Sequence, residues 1–355
     1  MVVAAADVPL QSSVSAAFSS RRSMLQLHPA LALPVAPHEF FHWNTAAPRE
    51  TTKKAPEGDE LLRLSDLERV CYLGEGACGE VTKVRHRRTG AVFALKTAHY
   101  AGPGGAANEE AEALRRSDGS PHVVRCHAVL GGGGADAAAY VLELMDAGTL
   151  GDVLGRRGGR GVPERALAEV AARCLQGLAH VHSRGVAHLD LRPDNLLANS
   201  RGDVKIGDFS VSRILYGRAG ERRRVSVAVG SPMYLSPERF EPDAHAGPSG
   251  AIAADVWGLG ITVLELFLGR RPFLAPGVRP SFEMLRQAIC DGEPLSALGS
   301  AAASPELRGF VAACLHKDPR RRATVAQLLA HPFVARRHVD ESRRALRELI
   351  AETLE

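Results

Sequence analysis

His188-Leu189-Asp190-Leu191-Arg192-Pro193-Asp194-Asn195 is the stretch on which the reading of this 355-residue chain turns. An Asp and an Asn in a loop around a proline are, taken alone, caps or turns. Their weight comes from the residues ordered around them. Upstream lie Gly74-Glu75-Gly76-Ala77-Cys78-Gly79, Ala94-Leu95-Lys96 and Glu110; downstream come Asp208-Phe209-Ser210 and Ser236-Pro237-Glu238. The glycine pattern by itself is shared with dinucleotide-binding proteins, in which the loop opens a helix. Here strand-like residues 69–73 lead into it and strand-like residues 80–85 leave it. That context predicts a hairpin that covers phosphates, with glycines admitting a backbone approach that side chains would block.

Working outward, residues 91–96 read as a third strand after a turn at Thr89-Gly90, and residues 108–116 as a short helix. Residues 123–129 and 140–145 read as strands around a Gly131–134 run, which completes a small β-rich unit. From Thr149 the pattern turns helical. Leu167, Val170, Ala171, Cys174, Leu175, Leu178 and Val181 recur at three-and-four spacing, with Pro163 expected in the first turn. Residues 253–268 are apolar on nearly every face, which predicts a helix buried in a larger domain. The end, residues 336–355, carries Leu346, Leu349, Ile350 and Leu354 on one side, and reads as a docked amphipathic tail or as a frayed end.

Composition bounds the alternatives. Hydrophobic residues at 45% and charged residues at 24% exclude wholesale disorder, a collagen-like repeat and a coiled coil. A net charge of +4 gives no reason to expect nucleic acid. Six cysteines without a C-x-x-C pair suggest neither a zinc site nor a disulfide framework and fit a reducing compartment, the cytoplasm with the nucleus open beside it. Residues 261–268, the richest apolar stretch, are broken by Glu265, so no membrane span is expected. Residues 1–64 are rich in Pro, Ala, Ser and Thr with little periodicity and read as an unstructured leader, a transit peptide being the weaker alternative.

With these motifs in this order, residues 65–334 resemble a eukaryotic protein kinase. The resemblance implies a two-lobed α+β fold, with a five-stranded small lobe and one helix over residues 65–146, a mainly helical large lobe over residues 147–334, and the tail at 335–355. Met145-Asp146-Ala147-Gly148-Thr149-Leu150, Val211-Ser212-Arg213-Ile214-Leu215 and Tyr234-Leu235-Ser236-Pro237-Glu238-Arg239-Phe240 are closer still to mitogen-activated protein kinase kinases, particularly those of plants. That implies transfer of the ATP γ-phosphate, with Mg²⁺, to Thr and Tyr in a mitogen-activated protein kinase, and admits an upstream kinase as a second partner. Carried over residue by residue, Lys96 holds phosphates and Glu110 pairs with it, chosen over Glu109 and Glu112 because it lies four residues before Leu114. Asp190 orients or deprotonates the hydroxyl, Arg192 touches the transferred phosphate, and Asn195 and Asp208 bind Mg²⁺. Leu73, Gly74, Gly76, Gly79, Val81, Ala94 and Glu143 complete the ATP site, Glu238 pairs with Arg322, and Asp255 braces the catalytic loop.

The chain also departs from the family. Leu189 stands where most relatives have the Arg that receives the activation-loop phosphate, and the phosphoacceptor positions fall on Glu221 and Val227, upstream of Ser231. Ser226 is a displaced alternative acceptor. Activation without the usual phosphorylation is the expectation, with Glu221 a partial phosphate mimic. Ser210 replaces a glycine and Arg192 a lysine, which expects lowered activity and keeps a non-catalytic docking scaffold open as the alternative. In the leader, Arg21 and Arg22 followed by Leu25 and Leu27 resemble a docking motif, two cations for an acidic patch and two leucines for an apolar groove.

Overall fold

The computed structural model describes residues 62–76, 79–98, 106–131, 138–217, 230–240, 247–273, 280–299 and 301–355. Strands β1 (Leu67–Gly76), β2 (Gly79–His86) and β3 (Val92–Ala98) form an antiparallel meander, followed by helix α1 (Ala106–Ser117) and strands β4 (Cys126–Leu130) and β5 (Ala139–Glu143). The five strands make one antiparallel sheet in the order β1-β2-β3-β5-β4. Alternation sends Leu67, Val84, Phe93 and Val141 into a satellite core on one face. The other face meets α1, whose Ala113 and Leu114 join the main core. The fourth strand starts later than its apolar run suggests, because Val124 N–H donates to Ile206 O (2.9 Å) and Val123 bridges Ile206 in parallel. Those residues are taken from the sheet to join the two halves.

The second half begins with β6 (Gly148–Thr149) and α2 (Leu150–Arg156), whose N-cap Thr149 accepts from Asp152 N–H at 3.0 Å. Helix α3 (Glu164–Ser183) buries every one of the seven periodic residues. Pro163 is its cap rather than its first residue, since a ψ of 140° leaves it extended. Short strands β7 (Val186–Ala187), β8 (Leu196–Ala198), β9 (Val204–Ile206) and β10 (Arg213–Ile214) follow, pairing as β6-β8-β9 and β7-β10.

Helix α4 (Pro248–Leu268) is long and apolar enough to cross a membrane, yet its apolar window is 78% buried within the fold, and it is the core helix of this half. It ends at Gly269 in a left-handed conformation (φ 72°), where a Cβ would overlap the Gly159 carbonyl. Helices α5 (Phe282–Cys290), α6 (Pro305–Cys314), α7 (Val325–Leu329), α8 (Pro332–Ala335) and α9 (Val339–Glu352) complete the chain. The last of these packs on α3, burying Leu346, Leu349 and Ile350. Glu169 of α3 fastens it, accepting from Arg337 (3.0 Å) and Arg343 (3.4 Å) as well as from its own neighbour Arg173 (2.8 Å). Burial would raise the Glu169 carboxyl, but Arg173 and Arg337 outweigh it and hold it below its ordinary value.

Candidate active site

Lys96 and Glu110 come from the sheet and its helix, Asp190, Asn195 and Asp208 from loops flanking the short strands of the second half, and the five converge. Lys96 Nζ lies 2.7 Å from Glu110 Oε1 and 2.7 Å from Asp208 Oδ1, with Lys96 and Glu110 both buried. Register explains the aim of the lysine. Val81 is directly opposite Lys96, and Ala94 lies two residues before it, so the three side chains share one face of the sheet. Gly74 pairs with Val81, Leu73 is buried beside it, and at Gly79 a Cβ would overlap the Thr97 carbonyl oxygen. Gly76 ends β1, and the loop tip, Ala77 and Cys78, lies outside the described residues.

Of the three neighbouring acids, Glu110 alone pairs with Lys96. Glu109 accepts from Ile214 N–H (3.2 Å), and Glu112 engages Arg115 and Arg116. Glu143 pairs with Phe93, on the face opposite Lys96, and its carboxylate binds Lys205 at 2.7 and 2.8 Å. Any part for Glu143 at the cleft therefore falls to its backbone.

Charge is unevenly shared in the cluster. Burial opposes the Lys96 ammonium, but Asp208 and Glu110 together keep it protonated far above its ordinary pKa. For Asp208 burial acts against ionisation and Lys96 overrides it, leaving the carboxyl far below its ordinary value. At Glu110 burial wins and raises the carboxyl. Asp208 is thus the firmly ionised carboxylate of the cluster. Its φ of 54° puts it in the left-handed region, as does 67° for Leu189, and these are the two non-glycines with positive φ among the described residues. Strained backbone of this kind persists where surrounding contacts over-determine it.

Asp190 is gripped at both oxygens. Oδ1 accepts from Ser231 N–H (2.7 Å) and Oδ2 from Asn195 Nδ2 (2.9 Å), while Asn195 Nδ2 also donates to Asp190 O (2.8 Å). Asn195 sits in a 3-10 turn opened by Pro193, and Gly207 N–H donates to Asn195 O (2.9 Å), tying this loop to the one that carries Asp208. Arg192 donates from Nη1 to Asp194 Oδ2 (2.8 Å) and keeps Nε 3.4 Å from Asp190 Oδ2. A Cβ at residue 151 would overlap Asp194 Oδ1, so Gly151 makes room for that carboxylate.

Below the loop, Asp255 accepts from Leu189 N–H (2.6 Å), His188 N–H (2.9 Å) and His182 Nε2 (2.7 Å). Burial would raise Asp255, but the His182 hydrogen bond and charge lower it. Leu189 itself packs among Ala187, Leu215, Ala251 and Ala254. Glu238 and Arg322 form a bidentate pair at 2.7 and 2.8 Å, both buried, with the guanidinium 5.1 Å from the Trp257 ring centroid.

Three contacts escaped sequence reasoning: Lys205 on Glu143, Glu109 on Ile214, and Arg239 Nη1 donating to Leu189 O at 3.0 Å. Arg239 directly follows the Glu238 that the motif picks out, and that adjacency was the available signal. Glu221, Val227, Ser226, Arg21, Arg22, Leu25 and Leu27 lie outside the described residues.

Among the described residues no three His, Cys, Asp or Glu side chains are grouped to hold a metal by themselves. Asp208 and Asn195 offer two oxygen donors, a set that suits a hard cation completed by phosphate oxygens and water.

Comparison with known proteins agrees with this arrangement. A protein kinase domain family matches residues 67–334. Mitogen-activated protein kinase kinase 9 of Arabidopsis thaliana is 39% identical over 316 residues, 88% of this chain and 97% of that protein. Mitogen-activated protein kinase kinase 10 of the same plant is 36% identical over 302 residues, 85% and 94% respectively. The human dual specificity mitogen-activated protein kinase kinase 7 is 32% identical over 283 residues, 77% of this chain and 64% of that protein.

Proposed function

The chain belongs to the protein kinase family, and from that premise we propose that it is a dual-specificity mitogen-activated protein kinase kinase that phosphorylates Thr and Tyr of a mitogen-activated protein kinase activation loop. The observation that carries the reading is the closed Lys96–Glu110–Asp208 cluster beside an Asp190 locked by Asn195. Phosphoryl transfer needs clamped phosphates and an aligned hydroxyl more than covalent catalysis. ATP would supply the γ-phosphoryl group as substrate, and Mg²⁺, when bound, would neutralise the negative charge of the phosphates. Lys96 would meet the α and β phosphates, Asp208 and Asn195 would present the oxygens that hold the cation, and Leu73, Val81 and Ala94 would form the apolar roof. Asp190 aligns the incoming hydroxyl and takes its proton as the oxygen–phosphorus bond forms and the bridging oxygen leaves with ADP.

Residues Arg21, Arg22, Leu25 and Leu27 are the proposed docking segment for the substrate kinase, in a protein assigned to the cytoplasm with the nucleus left open beside it. A second reading, a scaffold that docks kinases without transfer, is favoured by Arg192, whose guanidinium is held by Asp194. Phosphotransfer from Mg-ATP to catalytically inactivated mitogen-activated protein kinases separates the two. Label on Thr and Tyr that disappears in Asp190→Asn is the expected result; docking without label makes the chain a scaffold.

A further inference from the structure

The peptide on which Asp190 hangs is held from below by two charged groups far away in sequence. Leu189 N–H donates to Asp255 Oδ1 (2.6 Å), and Leu189 C=O accepts from Arg239 Nη1 (3.0 Å), so both sides of a residue with φ 67° are fixed. Arg239 comes from the 3-10 turn Pro237–Phe240, is 4% exposed, and faces the charges of Asp190, Asp255 and Glu238. Burial opposes its charge and lowers its pKa to about 10, which still leaves the guanidinium ionised at neutral pH.

The same region carries the other clamp. Ser231 N–H donates to Asp190 Oδ1, and at Gly230 a Cβ would lie 2.6 Å from Leu189 O and 3.6 Å from Arg239 Nη1. Gly230, with φ 102°, therefore lets the segment lie directly on the catalytic loop. In the family pattern a cation at position 189 would reach outward to a phosphate; here Leu189 turns into an apolar cluster, and Arg239 brings a cation to the loop from inside the fold.

Resting on the proposed phosphotransfer, we propose that Arg239 is a positioning residue for that reaction: it fixes the Leu189–Asp190 peptide and keeps Asp190 aimed without a phosphate on the activation segment. Its guanidinium suits this part because a buried charge–carbonyl hydrogen bond is directional and stronger than a neutral one.

The test uses the full chain as wild type, Arg239→Lys and Arg239→Met, with kcat, KM for ATP and amide hydrogen exchange. For Arg239→Met, kcat is expected to fall about 10²-fold, the scale of a small misplacement of a catalytic group, with KM for ATP within about threefold. Arg239→Lys, which can still donate to Leu189 O, should recover about tenfold of that loss. Exchange should quicken at Leu189, Asp190 and Ser231 while the α4 interior, residues 261–266, stays protected. An unchanged kcat, or exchange that quickens throughout including α4, overturns the proposal and leaves Arg239 a purely structural residue. If Arg239→Met does not fold, Arg239→Gln, shorter and without charge, carries the same test: slowed turnover with local exchange supports the proposal, and wild-type behaviour in both overturns it. Absence of transfer by the wild type would overturn the proposed activity alone; the exchange pattern would then decide whether Arg239 fixes the loop.

Discussion

The catalytic loop is held on its two sides by opposite chemistry. Toward the cleft, Lys96 is shared between Glu110 and Asp208 at equal distances, and Asp190 is bound at both oxygens, so that side is charged and directional. Away from the cleft, Leu189 fills an apolar pocket of Ala187, Leu215, Ala251 and Ala254. The charged side is open to change by ligands, because a cation or polyphosphate bound there would compete for Asp208 and Lys96. The apolar side holds by exclusion of water, which no added phosphate switches on. The contrast teaches that the loop has two independent supports: ion pairs and hydrogen bonds around Lys96, Asp208 and Asp190, and apolar packing around Leu189, the position at which the family pattern has a cation.

The sharpest test of the charged side is its reacting end. Asp190→Asn keeps the shape and one of the two accepting positions, sets its amide NH2 against the other donor, Ser231 N–H or Asn195 Nδ2, and removes the base, and turnover should fall by about 10² to 10⁴-fold, the range for general acid–base groups. Phosphotransfer rates measured with melting temperatures check it; a variant with equal activity would break the assignment of the cleft side.

The apolar side is tested at Leu189. Leu189→Ala should lose about 2–5 kcal/mol of stability by opening a cavity among side chains that are already packed. Leu189→Arg restores the residue of the family pattern, yet it would bury a charge in an apolar cluster with Arg239 nearby, so it too should destabilise and should not raise activity. Denaturant unfolding reads both. A more stable Leu189→Arg protein would mean that the pocket holds an acceptor for that charge, and the contrast between the sides would collapse.

Acid titration should separate the sides by a smaller margin. Asp208 has a folded-state pKa held far below the unfolded value, so its contribution is complete above about pH 4 and is lost as pH falls below that. Glu110 has the opposite sign, since burial raises it and favours its proton. Unfolding free energies between pH 7 and 2 should fall more steeply below pH 4 for wild type than for Asp208→Asn, while Leu189→Ala should follow the wild-type slope from a lower start. Parallel curves for wild type and Asp208→Asn would show that the Lys96 contact adds nothing to folding.

The sequence made the cleft side legible and left the other side dark, for a physical reason. Lys96, Asp190, Asn195 and Asp208 each stand in short strings of the family's motifs, and the resemblance picks Glu110 over Glu109 and Glu112 because the family's glutamate lies four residues before the position of Leu114. The Glu238–Arg322 pair and the bracing Asp255 came from the family resemblance alone, and the structure contains both contacts. Leu189 could be seen as a missing cation but not as the centre of a cluster, because Ala187, Leu215, Ala251 and Ala254 show no shared periodicity until the loop and α4 are brought together. Arg239 on Leu189 O spans 50 residues, and Lys205 on Glu143 spans 62. The parting of Val123 from β4 was hidden likewise, since an apolar run says that a segment is buried but not which strand it will join.

The smallest predicted effect concerns Ser210, the departure on the cleft side. A glycine after Asp208-Phe209 is useful when the backbone must visit φ > 0, but in this structure the left-handed residue is Asp208, and Ser210 is not among the non-glycines with positive φ. Its N–H donates to Asp208 Oδ1 at 3.3 Å, one of the bonds that help hold that carboxylate ionised. Ser210 therefore costs the observed conformation nothing, and it reduces the freedom of the unfolded chain. Ser210→Gly should lower stability by about 0.4–1 kcal/mol through the unfolded state, while leaving the Asp208–Lys96 contact intact. If the segment also has a second conformation, glycine would populate it, and hydrogen exchange at Phe209 and Ser212 would quicken by more than the stability loss allows. Exchange that merely tracks stability would show that the segment keeps a single conformation even with glycine, held by its contacts rather than by the limited backbone of Ser210.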